Sequence, residues 1–198
     1  LEIERTMRSQ TAEGSLLGVF RGCVTAMGKR NLRQWLCYPL RDRDRIERRQ
    51  RVVETLLSDE RLLDEIRQTL DGVHDVPRIA ARLSVNRANP RDLVALGHSA
   101  KKAAALRDLL ADTPAVKHLH SRLEKIAEAL TGLGDNIASA CVDAPPQHLR
   151  EGGLFKAGYD QRLDEYRALQ RDSNEWLARY QKQLIECTAI PSLKVGYN

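Results

Sequence analysis

The feature that most constrains this chain is the run Val24-Thr25-Ala26-Met27-Gly28-Lys29-Arg30-Asn31-Leu32-Arg33-Gln34-Trp35-Leu36-Cys37-Tyr38-Pro39-Leu40-Arg41-Asp42. It spells a helix, a proline stop and the start of a second helix. Thr25 is placed to accept a hydrogen bond from a free N–H one turn in. Gly28, Leu32, Trp35 and Leu36 recur at helical spacing, so one face is apolar and Gly28 permits a close neighbour. Pro39 has no N–H and disfavours helical geometry at Tyr38, which ends the helix there. Asp42 caps the next helix, whose inner face is expected to carry Ile46, Val52, Val53, Leu56 and Leu57. The expectation is a buried helical hairpin with Leu32, Trp35, Leu36 and Pro39 in its structural core.

The same cap–stripe–stop pattern recurs along the chain. Leu1 to Arg8 reads as an extended lead-in, Ser9 to Gly14 as a polar turn, and Ser15 to Phe20 as a short helix. Asp59 to Leu70 is a helix with Leu62, Leu63, Ile66 and Leu70 on one face, closed by Asp71-Gly72. Asp75 starts a short helix with Pro77 in its first turn and Ile79 and Leu83 inward. Asn89-Pro90-Arg91-Asp92 supplies a cap, a first-turn proline and an acidic third position. The helix that follows carries Leu93, Leu96, Ala100, Ala103 and Leu110.

Thr113-Pro114 repeats that start signal. Val116, Leu119, Leu123, Ile126 and Leu130 then form a seam spaced by threes and fours. Gly132 and Gly134 are expected to interrupt the helix before a short final piece through Ile137, Cys141 and Val142. Asp143-Ala144-Pro145-Pro146 stops helix formation, and Gln147 to Gly158 is a loop or small hairpin. Asp160 opens the longest helical run, to about Glu186. Its stripe of Tyr159, Leu163, Tyr166, Leu177, Tyr180 and Leu184 needs a partner. Ile190 to Tyr197 alternates like a half-buried strand. The expected fold class is therefore all-α: a multi-helix core bundle over 1–158, a long helix over 159–187, and a short β segment over 188–198.

A chain of 198 residues with 42% hydrophobic and 30% charged residues has enough material for a core. No apolar run approaches the ~20 residues of a membrane span. Cys23, Cys37, Cys141 and Cys187 are scattered without a Cys-x-x-Cys pair, which predicts reduced, mostly buried thiols and a cytosolic setting. The net charge of +5 is concentrated between Lys29 and Arg51, where nine Lys/Arg face Asp42, Asp44 and Glu47. That excess reads either as a phosphate-binding patch or as a solvated helix face. No G-x-x-x-x-G-K-[ST] loop occurs, so this chain carries no nucleotide-hydrolysis motif. His118 and His120 lie on different sides of a helix and make poor metal ligands. His74, His98 and His148 have no evident catalytic companions. Neither a catalytic site nor a metal site is predicted.

Four ordered motifs add a resemblance. They are the Val24–Asp42 run; Arg87-Ala88-Asn89-Pro90-Arg91-Asp92-Leu93; Leu149-Arg150-Glu151-Gly152-Gly153 with Gly158-Tyr159-Asp160; and Ser192-Leu193-Lys194-Val195-Gly196-Tyr197-Asn198. Together they span essentially the whole chain, which resembles the central region of the bacterial MutS family of DNA mismatch-repair proteins. Gly14-Ser15-Leu16-Leu17 matches as well. The resemblance implies a helical core and a lever helix leading into the start of a clamp that closes around duplex DNA.

In that family, mismatch recognition lies in N-terminal parts and ATP with Mg in a C-terminal ATPase; neither is implied for these residues. It further implies a role in coupling that ATPase to the clamp, with mismatched duplex DNA, a MutL-type repair protein and a second copy of the longer protein as partners. The chain lacks an initiator Met and stops inside a strand-like segment, as an excised piece of a larger protein would. A piece of this kind is expected to self-associate through residues 159–186. Lys194 and Asn198 are the candidate contacts to DNA phosphate. The segment Gln183 to Thr188 departs from the family's alternating Arg and Glu, which leaves the charge it brings to the clamp open. Two alternatives remain at this level: a helical protein-interaction module docking through the basic hairpin, and a stand-alone basic duplex-DNA-binding domain.

Overall fold

Side-chain caps start most of the helices. Ser15 caps α1 (Leu16–Val19), Thr25 caps α2 (Ala26–Cys37), Asp42 caps α3 (Arg43–Ser58) and Asp59 caps α4 (Glu60–Leu70). Asp75 caps α5 (Val76–Ser84), Asn89 caps α6 (Pro90–Leu110) and Asp160 caps α8 (Gln161–Thr188). In each case the side-chain oxygen accepts an N–H that the first turn leaves unpaired; Asp42 takes the Arg45 N–H at 3.0 Å and Asp160 the Leu163 N–H at 2.8 Å. The computed structural model describes residues 2–20, 22–190 and 192–195. Among them the protein is all-α, and no β-strand forms.

The chain divides into two compact units, Leu1–Leu154 and Phe155–Asn198. In the first, α6 and α7 (Lys117–Ala140) pack along most of their length, α4 and α5 lie against α6, and α3 reaches α4 and the 3₁₀ turn Pro114–Val116. The α6–α7 contact is close because two glycines sit in it. A Cβ on Gly97 would lie 2.8 Å from Ile137 Cγ2, and one on Gly134 would lie 2.7 Å from Lys101 Cγ and 3.1 Å from the Gly97 carbonyl oxygen. Val94, Ile137, Ala140, Cys141 and Leu154 form the core beside this crossing, with Leu93 packed on it.

At its start, α6 is fixed by a capping box. Asn89 Oδ1 accepts the Asp92 N–H at 2.9 Å, and Asp92 Oδ2 accepts the Asn89 N–H at 3.1 Å. Arg82 of α5 then holds Asp92 with a two-pronged ion pair, Nε–Oδ2 2.8 Å and Nη2–Oδ1 2.5 Å. Asp92 is 9% exposed, so its charge has to be matched locally. The Arg82 guanidinium and the Asn89 N–H hold the Asp92 carboxyl below the usual carboxylate range, against the opposing effect of burial.

The second unit is dominated by α8. Its 28 residues span about 42 Å at the α-helical rise. Gly158 donates its N–H to Asp164 Oδ2 at 2.6 Å, and Arg167 donates to the Phe155 carbonyl at 3.0 Å, tying the preceding loop to the first turns. Tyr166, Leu169, Trp176 and Tyr180 are exposed along α8, with Trp176 and Tyr180 stacked at 5.1 Å.

Several sequence expectations differ from the structure. Residues 2–8 are bends and turns instead of an extended segment. Thr113 makes no side-chain cap, and α7 begins through the 3₁₀ turn Pro114–Val116. Gly132 and Gly134 do not interrupt α7, which runs unbroken to Ala140. Gly134 is buried where α6 crosses, and the space it leaves is filled by a neighbouring helix, not by a bend. The buried side of α7 is Ala127, Gly134, Ile137 and Ala140; of the predicted seam, Leu119 and Ile126 remain 38% and 48% exposed. Residues 192–195 form no strand; the rest of that segment, apart from Ile190, lies outside the described residues.

Candidate functional site

The basic run of α2 and α3 separates into two groups. Arg30 pairs with Asp75 at the cap of α5, with Nη2–Oδ1 at 2.8 Å. Arg33 grips Glu4 through Nε and Nη2, both at 2.6 Å, and Arg43 reaches Glu47 one turn on at 2.6 Å. These cations are engaged in holding the fold. The Arg30 guanidinium lowers the pKa of Asp75, and the Arg33 guanidinium, with the Cys37 thiol beside it, lowers Glu4 to about 2. Cys37 Sγ donates to Glu4 Oε1 at 3.1 Å, and that acceptor pushes the thiol pKa up, which suppresses thiolate reactivity.

Arg45, Arg48 and Arg49 form the second group and make no ion pair among the described residues. They lie on one side of α3, spaced by three and four residues, and line a cleft of about 430 Å³ with His118 and Arg122 of α7. Val52, Val53 and Leu119 supply its apolar floor, and Trp35 of α2 closes one end. The Arg49 guanidinium sits 3.5 Å from the centroid of the Trp35 ring, a cation–π contact.

Trp35 was expected in the core and is instead 42% exposed. The Arg49 guanidinium lies over its ring, and Trp35 forms part of the cleft wall. Leu32 and Leu36 are half-buried and Pro39 is exposed. Val53 and Leu57, expected on the inner face of α3, are 56% and 69% exposed. His118, Leu119 and Arg122 were not singled out as site residues. The signal was present in the basic residues Lys117, Arg122 and Lys125 interleaved with the Leu119–Ile126 seam, but that seam reads as buried until the partner of α7 is known.

Lys194 is exposed and lies outside any helix; Asn198 lies outside the described residues. The backbone beside Lys194 is held by a hydrogen bond from the Val195 N–H to Gln181 Oε1 at 3.3 Å. Cys141 is buried, Cys23 and Cys37 are half-buried and Cys187 is exposed; none forms a disulfide. Among the described residues no group of three His, Cys, Asp or Glu side chains converges as a metal site would, and no helix is long and apolar enough to cross a membrane.

Residues 1–190 match the family model for MutS domain III. The chain is 40% identical over 200 residues to the DNA mismatch repair protein MutS of Halothermothrix orenii, covering 100% of the chain and 22% of that protein. It is 38% identical over 201 residues to the Bacillus subtilis protein of that name and 42% identical over 200 residues to that of Geobacillus kaustophilus. All of the chain is covered in both, with 23% and 22% of the respective relatives. It thus spans somewhat under a quarter of the length of these relatives. A family model matched over nearly the whole chain, and identity of this level from end to end, show that the chain belongs to the MutS domain III family.

Proposed function

We propose that the chain acts as the core and lever region of a MutS-type mismatch-repair protein, coupling an ATPase elsewhere in the longer polypeptide to a clamp on duplex DNA. The observation that carries this reading is α8, a rod of about 42 Å with internally satisfied hydrogen bonds; within the other unit, the two longest helices are packed at glycine contact. A rod transmits displacement without paying out slack, and a glycine-close helix pair deforms little. On this reading the chain itself performs no catalysis. ATP and Mg act in the separate ATPase part, and mismatched duplex DNA, a MutL-type protein and a second copy of the longer protein are its partners in the bacterial cytoplasm, at the nucleoid. Lys194 and Asn198 approach phosphate at the clamp. The exposed α8 stripe pairs with another copy when residues 159–186 have no other cover.

The test is a break in the rod within a longer protein carrying this region. Ser173→Pro, at mid-α8, removes one N–H and clashes with the preceding turn. The expected result is retained mismatch binding with loss of ATP-driven release from the mismatch. A protein that still couples normally would refute the lever role.

A second reading, direct duplex binding by the basic hairpin, is favoured by the unpaired Arg45, Arg48 and Arg49. It requires that the 198-residue chain bind duplex DNA with a steep salt dependence, as counterion release demands. The coupling reading expects feeble binding that varies little with salt. Fluorescence anisotropy across a salt series separates the two.

A further inference from the structure

The cleft beside Trp35 does not end at α7. It shares Leu119 and Arg122 with a second trough of about 610 Å³, whose floor is formed by Leu106, Leu110, Leu123 and Ile126. The two adjoin along α7, where Leu119 and Arg122 line both, and each has an apolar floor. From His118 to Ile126 that helix advances about 12 Å, a little over two helical turns. The rim is basic on both sides: Arg45, Arg48 and Arg49 on α3, and Arg122 and Lys125 on α7. Among the described residues no carboxylate lines either part. Arg30, Arg33 and Arg43 have carboxylate partners, whereas the groove's arginines have none among the described residues, as is also true of Lys29, Arg41 and Arg51 outside the groove.

Two chemistries fit a basic rim, nucleic acid and an acidic protein segment, and the floor chooses between them. A phosphate backbone presents no apolar surface to place on Val53, Leu119 and Ile126, which are 56%, 38% and 48% exposed. Unpaired bases would stack on an aromatic face, but one face of Trp35 is already taken by Arg49. An amphipathic helix meets both demands. Apolar side chains spaced by three and four cover the floor, and carboxylates flanking them face the arginines. A second copy of α8 is a poor fit: it carries five Lys/Arg and five Asp/Glu, and so has no net charge to complement the rim.

We propose that this groove is a docking site for an acidic amphipathic helix of a partner protein, its apolar side chains on Val53, Leu119 and Ile126 and its carboxylates against Arg48 and Arg122. The inference stands on the groove alone and does not depend on the lever reading. Charge on the rim speeds encounter and rejects basic partners, while the apolar floor sets how long the complex lasts.

The test uses the 198-residue chain and three fluorescein-labelled helical peptides of equal length. One carries Glu flanking a Leu stripe, one has Ser in place of Leu, and one has Lys in place of Glu; a short DNA duplex is the fourth probe. Only the Glu/Leu peptide should bind well, and raising salt should weaken it as screening predicts. The pair Arg48→Glu with Arg122→Glu, and separately Val53→Ser with Ile126→Ser, should each weaken binding by about tenfold or more, with circular dichroism unchanged. A photo-crosslinking group on the bound peptide should label residues 118–126 in the unaltered chain, which tests the site independently of any variant. Equal binding of the Glu/Ser peptide would mean simple polyanion attraction and overturn the proposal. So would tighter binding of the duplex, a concentration-dependent dimer that the Arg48/Arg122 variant abolishes, or no binding of the Glu/Leu peptide. Binding to this chain but not to a longer protein containing it would show the groove filled from within the same polypeptide, and would also overturn it.

Discussion

Replacing Gly97 by alanine should destabilise the chain, whereas the same change at Gly132 should stabilise it. Both glycines are in helices, and alanine is favoured over glycine in a helix interior by about 1 kcal/mol. At Gly132 nothing lies within 4 Å of an added Cβ, so that preference is expressed in full. At Gly97 the added carbon meets Ile137 Cγ2 at 2.8 Å and Cβ at 3.0 Å. Ile137 is 7% exposed and β-branched, so it has little freedom to rotate away. Forcing a methyl into a packed site costs about 1–3 kcal/mol. Set against the helix preference, Gly97→Ala should come out between neutral and about 2 kcal/mol destabilising, and the two variants should differ by about 1–3 kcal/mol. Urea denaturation followed by far-UV circular dichroism measures this as a raised midpoint for Gly132→Ala and an unchanged or lowered one for Gly97→Ala, at constant slope. Combining Gly97→Ala with Ile137→Ala should cost less than the sum of the single changes, because the second removes the obstacle met by the first. If Gly97→Ala stabilised as much as Gly132→Ala, the close approach of α6 and α7 would be refuted.

Trp35→Ala should destabilise by about 2 kcal/mol, below the 3–5 kcal/mol of a fully buried aromatic, because the ring is 42% exposed and loses mainly its Arg49 contact; a thermal or urea melt measures it. Asn89→Ala removes one arm of the α6 capping box and should cost about 1 kcal/mol, read from the urea midpoint, with no change in DNA or peptide binding. Acid should destabilise the chain through Glu4, Asp75 and Asp92. Each carboxyl is held below its ordinary value by an arginine, so the unfolded chain takes up protons first. Their contribution is complete above the ordinary carboxylate range and is lost as the pH falls through the folded values, for Glu4 down to about 2. Urea midpoints across that range should fall with pH, and Glu4→Gln should flatten the lowest part of the curve.

What the sequence determined was the local structure. Ser15, Thr25, Asp42, Asp59, Asp75, Asn89 and Asp160 each start a helix where their side chains predict it, because a cap acts on N–H groups two or three residues away and needs no knowledge of the rest of the chain. The positive φ of Gly72, after α4, is legible for the same reason. The family was legible from motif order, which depends on no coordinates.

What needed tertiary structure was every question of which neighbour a residue meets. Gly134 carries the same local signal whether it breaks a helix or admits another, and only the approach of α6 decided for the second. That approach turned α7 onto Ala127, Gly134 and Ile137, and left Leu119 and Ile126 of the expected seam at the surface. Trp35 stays partly exposed, with Arg49 of the next helix lying across its ring. Arg33 pairs with Glu4 and Arg30 with Asp75 across separations of 29 and 45 residues, while Arg45, Arg48 and Arg49 pair with no carboxylate among the described residues. A charge run in sequence gives only the total. Folding places some of those charges beside carboxylates and three of the others along a cleft, because Coulomb pairing depends on distance in space and not on order along the chain.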